Sequence, residues 1–243
     1  MNYPRQLKWP VCLAGLCGLL SGFSSTLASA DCMPCEATFT PYEAAYVTVY
    51  KNLNLEGSRS LRRQDDGRFI LTNKAKKMGS SISEHSLFTW EDNAIQVDEY
   101  AMTRSILGIK RKYHNRYDWA KGVVSVTGAV DVDLSLDNHP LDLLSYQLAL
   151  RCDLEQGKEQ VSYPVVARDR IKRYEFKVNG KETLKTRLGE LETLVVDRLR
   201  KDSDRTTRIW LAPDLNYLLV KLEQYEAKDN ASYRLELKEV SFH

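Results

Sequence analysis

Cys32-Met33-Pro34-Cys35 has the spacing of a thioredoxin-type redox pair. In a working pair the first thiol sits at the start of a helix in a βαβ unit, where the helix dipole lowers its pKa. Here Glu36-Ala37-Thr38 and then strand-like sequence follow, so the pair reads as structural. The expected disulfide joins Cys32 to Cys35, or one of the two to Cys152, and leaves one thiol over. A metal site is a weaker reading still, because no third or fourth ligand stands nearby at a zinc-ligand spacing.

Other chemistries are mostly absent. The chain has no Gly-x-Ser-x-Gly, no Ser-x-x-Lys at a helix start, no His-Glu-x-x-His and no Gly-rich phosphate loop. His85, His114, His139 and His243 are scattered singly. Asp131 with Asp133, and Glu190 with Glu192, are spaced to share the wet face of a strand. A glycosidase pair drawn from distant strands would leave no signature. No catalytic residue, metal ligand or cofactor contact is therefore assigned.

Two stretches invite a binding reading. In Lys110-Arg111-Lys112-Tyr113-His114-Asn115-Arg116-Tyr117, a strand would place Lys110, Lys112, His114 and Arg116 on one face. That cationic stripe suits an anionic headgroup, and equally suits a solvent-facing strand whose charge discourages edge-to-edge association. In Arg208-Ile209-Trp210-Leu211-Ala212-Pro213-Asp214, Pro213 ends a strand before Tyr217 begins the return. Trp210, Tyr217 and Phe176 are the candidate lining of an apolar pocket. Because Ile209 and Leu211 flank Trp210, that ring is expected to be chiefly a core residue.

The elements that must position these residues begin after an address. Arg5 and Lys8, an uncharged apolar run from Val11 to Leu27, and Ala28-Ser29-Ala30 have the order of a secretory signal peptide. Cleavage is expected after Ala30, leaving residues 31–243 as one β-rich periplasmic domain without a transmembrane segment. Neither Cys12, Cys17 nor Cys32 follows the small residue that a lipobox requires. The 35 Lys and Arg of the full chain include Arg5 and Lys8, so the rest balances its 33 Asp and Glu. That neutrality gives no support to nucleic-acid binding.

Strand signals dominate from Ala44 onward. Asp65-Asp66-Gly67, Glu91-Asp92-Asn93, Lys121-Gly122 and Asn179-Gly180 read as turns. One run breaks the rhythm: Leu141, Leu144, Leu148 and Cys152 recur near helical spacing before Gly157. This predicts a helix over about 139–155, with Pro140 in its first turn and Asp137 or Asn138 as its cap. Around a dozen short strands and one inserted helix predict an antiparallel sheet curved into a barrel or half-barrel. A β-sandwich is the alternative.

The aromatic first strand Tyr42 to Tyr50, Tyr117-Asp118-Trp119 with Gly122, and Leu188-Gly189 with Trp210-Leu211-Ala212-Pro213-Asp214 also carry a resemblance. The chain resembles a family of secreted Gram-negative bacterial proteins known only as a domain of unknown function. The resemblance spans nearly all of the chain after the signal and implies a periplasmic, β-rich domain. It brings no activity and no site residues. A curved sheet with a helix across its mouth is also similar, at the level of fold alone, to periplasmic lipoprotein carriers. The preferred expectation is a non-enzymatic protein holding a lipid-like or amphiphilic ligand in a concave apolar face during envelope assembly. The rival is an envelope glycan or lipid hydrolase acting through unsigned carboxylates.

Overall fold

The computed structural model describes residues 35, 37–50, 53–77, 79–128, 130–200, 204–229 and 231–243. The signal segment, its cleavage position at Ala30 and Cys32 lie outside the described residues.

Fourteen strands form one antiparallel sheet. The first eight are β1 (Tyr42–Tyr50), β2 (Leu53–Arg63), β3 (Phe69–Lys77), β4 (Ser80–Glu91), β5 (Ala94–Ile106), β6 (Ile109–Asp118), β7 (Val123–Thr127) and β8 (Val132–Ser135). A helix, α1 (Ser145–Glu155), separates them from β9 (Gln160–Ala167), β10 (Arg170–Thr186), β11 (Gly189–Leu199), β12 (Arg205–Ala212), β13 (Leu218–Glu226) and β14 (Ala231–Phe242). Each run is an up-and-down meander, and the two are joined where β1 pairs with β14. The order leaves β8 at one edge and β9 at the other, so the sheet is a half-barrel rather than a closed barrel or a sandwich.

The helix connects those two edges, and its approach strap crosses the gap between them. The Leu136 amide donates to the Gly122 carbonyl, and Leu141 pairs with Val165 of β9 in a parallel bridge. The strap thereby satisfies part of an edge that would otherwise present open backbone groups. Its geometry also moves the helix start. Asn138 and His139 have φ of 63° and 48°, outside the helical region, and Leu141 is held extended against β9. The helix therefore begins at Ser145, not near 139, and neither Asp137 nor Asn138 caps it. Asp142 does: its Oδ1 accepts the amides of Leu144 and Ser145, while Ser145 Oγ accepts the Asp142 amide. Asp142 is fully buried and also accepts the Ser86 hydroxyl, and burial pushes its carboxyl pKa up.

The Asn179-Gly180 turn is likewise corrected. Val178 faces Val196 and Lys181 faces Leu194, so Asn179 and Gly180 form a bulge inside β10. The strand turns only after Thr186, whose hydroxyl accepts the Leu188 amide and donates to the Gly189 carbonyl. Asn-Gly supplied the positive φ that a bulge needs as readily as one that a turn needs; Gly180 has φ 99°.

The inner face of the sheet and α1 share one core. Tyr42, Leu61, Leu71, Phe88, Val97 and Tyr100 share one apolar cluster there with Leu148 of α1 and with Leu144 just before it. Thr38, Phe39 and Cys35 pack over the far end of α1, where Cys35 is joined to Cys152. Of the pairings that the sequence left open, the bridge formed is the long one from Cys35 to Cys152, and not Cys32–Cys35. The chain folds back onto the last turn of α1 and brings the two Cα atoms to 4.9 Å. The bridge closes a separation of 117 residues, which gives it substantial leverage on the unfolded chain. Cys32→Ala should leave stability unchanged, and adding Cys35→Ala to it should cost about 3–5 kcal/mol in urea unfolding of the oxidised protein. Equal stability of the single and double variants would contradict this pairing.

Candidate ligand-binding site

At one end of the inner face, polar side chains replace the apolar core. Alternation along β11 turns Val196 and then Arg198 inward, and Arg200 follows at the same period. The same rule turns Ile209 and Thr207 of β12, and Leu222 and Gln224 of β13, toward the same space. The helix contributes Tyr146, Gln147 and Arg151, and β2 contributes Arg59. Together they enclose a cavity of about 140 Å³ whose apolar walls include Tyr42, Phe176, Leu211 and Leu218. A wider groove of about 800 Å³ adjoins it across the ends of β11 to β14. The two spaces share Arg198, Arg200, Thr207 and Gln224, which stand at the doorway.

The arginines here differ from those elsewhere in the groove. Arg205 pairs with Glu226, Arg208 with Asp197 and Arg234 with Glu223. Among the described residues, Arg59, Arg151, Arg198 and Arg200 have only neutral partners. Arg59 Nη1 donates to Gln147 Oε1 at 2.7 Å, and Arg151 donates twice to the Asn216 carbonyl at 2.8 and 3.1 Å. Arg200 donates to Thr207 Oγ1 at 3.3 Å, and the Arg198 guanidinium lies 3.4 Å from the centre of the Tyr174 ring. Arg59 is 7% and Arg151 3% exposed. Burial, followed by Arg59, holds Arg151 below the usual guanidinium range, and Arg200 is lowered by burial and then by Arg198 and Arg205. Tyr146, whose ring stacks on Phe176 and meets Tyr174 edge-on, is pushed up to about 12 by burial despite the opposing pull of Arg198 and Arg59.

The three residues expected to line one pocket are separated. Phe176 lies in the cavity wall. Trp210 is 4% exposed but stands on the other side of β12. Its cross-strand partner Val195 shares that outer position, and both lie outside the continuous core that contains Ile209, Leu211 and Val196. There Trp210 Nε1 donates to Glu182 Oε2 at 2.7 Å, and Lys221 Nζ sits 4.4 Å from the ring centre. Tyr217 is in the turn after the short 3₁₀ segment Pro213–Leu215, with φ 55°, packed against the core edge. The inner face is largely filled, so no deep pocket gathers these rings.

Lys110, Lys112 and Arg116 are all exposed on the outer side of β6, away from buried Asn115 and Tyr117. The stripe runs into the β5–β6 turn, where Ile106, Leu107 and Ile109 are 42%, 82% and 71% exposed. Further along the same face His114 meets Glu99 at 3.5 Å, and His85 meets it at 3.3 Å. The apparently scattered histidines are thus neighbours across strands, although no group of described residues has the arrangement of a metal site. The buried arginines and Asp142 were missed by sequence reasoning. For the strand arginines the only signal was period 2: Arg198 and Arg200 continue the inward row of Val196, and Arg59 that of Leu61.

A family model described as "Protein of unknown function (DUF3108)" matches residues 46–238. No curated protein matches. A β-barrel-like protein of the domain of unknown function DUF1849 from Brucella abortus is similar over 84% of this chain and 98% of its own, at 9% identity and a TM-score of 0.57. The Pseudomonas aeruginosa MucA/MucB complex matches 86% of this chain and 54% of its own, at 11% identity and a TM-score of 0.35. A putative outer membrane lipoprotein-sorting protein domain from Vibrio parahaemolyticus matches 84% and 86%, at 12% identity and a TM-score of 0.25. Only the first of these bears on the fold, and it agrees with the half-barrel.

Trp210 packs and hydrogen-bonds on the outer face, away from the cavity. Trp210→Ala should therefore lower stability by about 3 kcal/mol in urea unfolding. A normally stable variant that loses ligand binding alone would place the ring in the site instead.

Proposed function

This chain belongs to the family described as a protein of unknown function, DUF3108, and we propose that it is a periplasmic, non-enzymatic protein that receives part of a lipid-like, amphiphilic molecule during envelope assembly. The observation that carries the reading is the junction of the small cavity of about 140 Å³, with apolar and cationic walls, with the polar groove of about 800 Å³. Ligand sites of drug size occupy about 300–1,000 Å³, so the cavity alone suits one end of an amphiphile and the groove the remainder. Because α1 fills most of the inner face, a whole acyl chain would lie along the groove or require the helix to yield.

Two features support the setting. The order of residues 1–30 is that of an export signal. The β5–β6 turn offers three exposed apolar side chains flanked by Arg104, Lys110, Arg111 and Lys112, a composition suited to an anionic bilayer surface. The two carboxylates lining the groove, Asp197 and Glu223, are each held by an arginine, which gives the hydrolase reading no specific support.

Native mass spectrometry of protein purified from the periplasm tests this directly. The expected spectrum shows a chain beginning at Asp31 with an added mass that organic extraction removes. Repeated preparations of bare protein would count against the ligand. An intact Met1 would count against export.

A further inference from the structure

We infer that Arg59, Arg151, Arg198 and Arg200 form the receiving site for an anionic headgroup, a carboxylate or phosphate carried on an alkyl chain; this rests on the amphiphile reading above. Buried charge is ordinarily tolerated only when paired and fully hydrogen-bonded. These four guanidinium groups border one small cavity, and no carboxylate among the described residues forms an ion pair with any of them. Each retains a buried N–H without a partner: Arg59 Nε, Arg151 Nη1, Arg198 Nε and Arg200 Nε.

Glu84 acts on Arg59 and Glu155 on Arg151 only from a distance, and neither forms an ion pair with those guanidinium groups. Glu84 accepts the Tyr100 hydroxyl at 2.8 Å and the Asn73 amide at 3.1 Å. Glu155 accepts the Thr38 hydroxyl at 2.9 Å. Asp142 is committed to Ser86 and to the start of α1, and burial favours its neutral form. The site therefore carries converging positive charge with donors to spare, beside apolar walls. A planar carboxylate or a phosphate matches the guanidinium fork in shape and charge. An alkyl chain attached to it would rest against Phe176, Ile209 and Leu222. Two of the arginines are deeply buried in α1 and β2, and two stand half-exposed at the doorway, so the anion would be passed inward from the groove.

Isothermal titration of the mature protein at physiological salt, with each amphiphile below its micelle concentration, tests the inference. The probes are dodecanoate, dodecyl phosphate, dodecyltrimethylammonium, dodecyl maltoside and inorganic phosphate. Dodecanoate and dodecyl phosphate should bind at least about tenfold tighter than the neutral and cationic amphiphiles. The double variant Arg198→Gln/Arg200→Gln replaces side chains that are half-exposed and should fold normally. It should weaken the two anionic amphiphiles about tenfold and leave dodecyl maltoside unchanged. Equal binding of all four amphiphiles, or an unaltered double variant, would overturn the arginine site while leaving the amphiphile reading intact. Inorganic phosphate binding as tightly as dodecyl phosphate would overturn both, since the chain would then contribute nothing. Absence of binding by every probe would also overturn both.

Discussion

A sheet that curls without closing leaves an apolar face that must be covered, and here the covering segment is threaded between its two edges. β8 and β9 never pair; the strap 136–141 bridges them and delivers α1 to the concave side. Burial of the helix then depends on the curl, and the curl depends on the helix filling it. Leu148 and Leu154 on the helix, Leu144 at its start, and Tyr42, Leu61 and Phe88 on the sheet belong to one continuous cluster. The disulfide to Cys152 fixes the end of α1 opposite to the Asp142 cap, so the helix is held at both ends by bonds that do not rely on packing.

Filling the half-barrel this way divides its interior. Where Leu148 and Leu144 face the first meander, the space is occupied by hydrocarbon. Where Tyr146, Gln147 and Arg151 stand between the second meander and the β1–β2 pair, side chains are longer and polar and a void remains. The arrangement concentrates charge in the same place as the void. Arg151 is held by a main-chain carbonyl and Arg59 by an amide oxygen, both neutral, so neither guanidinium is closed off by an ion pair. A protein whose stability alone was at issue would gain by an aliphatic residue at either position.

The fold was legible in the sequence because its signals are local. Alternation and the turns at Gly67, Asn93 and Gly122 gave the strands, and the Leu141 to Cys152 spacing gave the helix. Its first turn was misjudged because the strap is shaped by a contact with β9, some 25 residues away, that no local pattern encodes. Asn179-Gly180 misled for a related reason: a bulge and a turn use the same backbone freedom, and only the register against β11 separates them. The candidate site was less legible. Trp210 drew attention as a large ring, yet strand alternation sends it outward while its plainer neighbours Ile209 and Leu211 face the cavity. Arg59, Arg151 and Arg198 come from β2, α1 and β11, and a charged side chain in a strand reads as solvated until its partners across the sheet are known.

The central claim is that the void beneath α1 and the unpaired arginines are one site. A crystal structure of residues 31–243 grown with dodecyl phosphate tests it most directly. The account predicts phosphate density bonded to arginines of the set Arg59, Arg151, Arg198 and Arg200, with the first methylenes against Phe176 and Leu222. Dodecyl phosphate bound only along Lys110, Lys112 and Arg116 on the outer face, with the cavity empty, would contradict it.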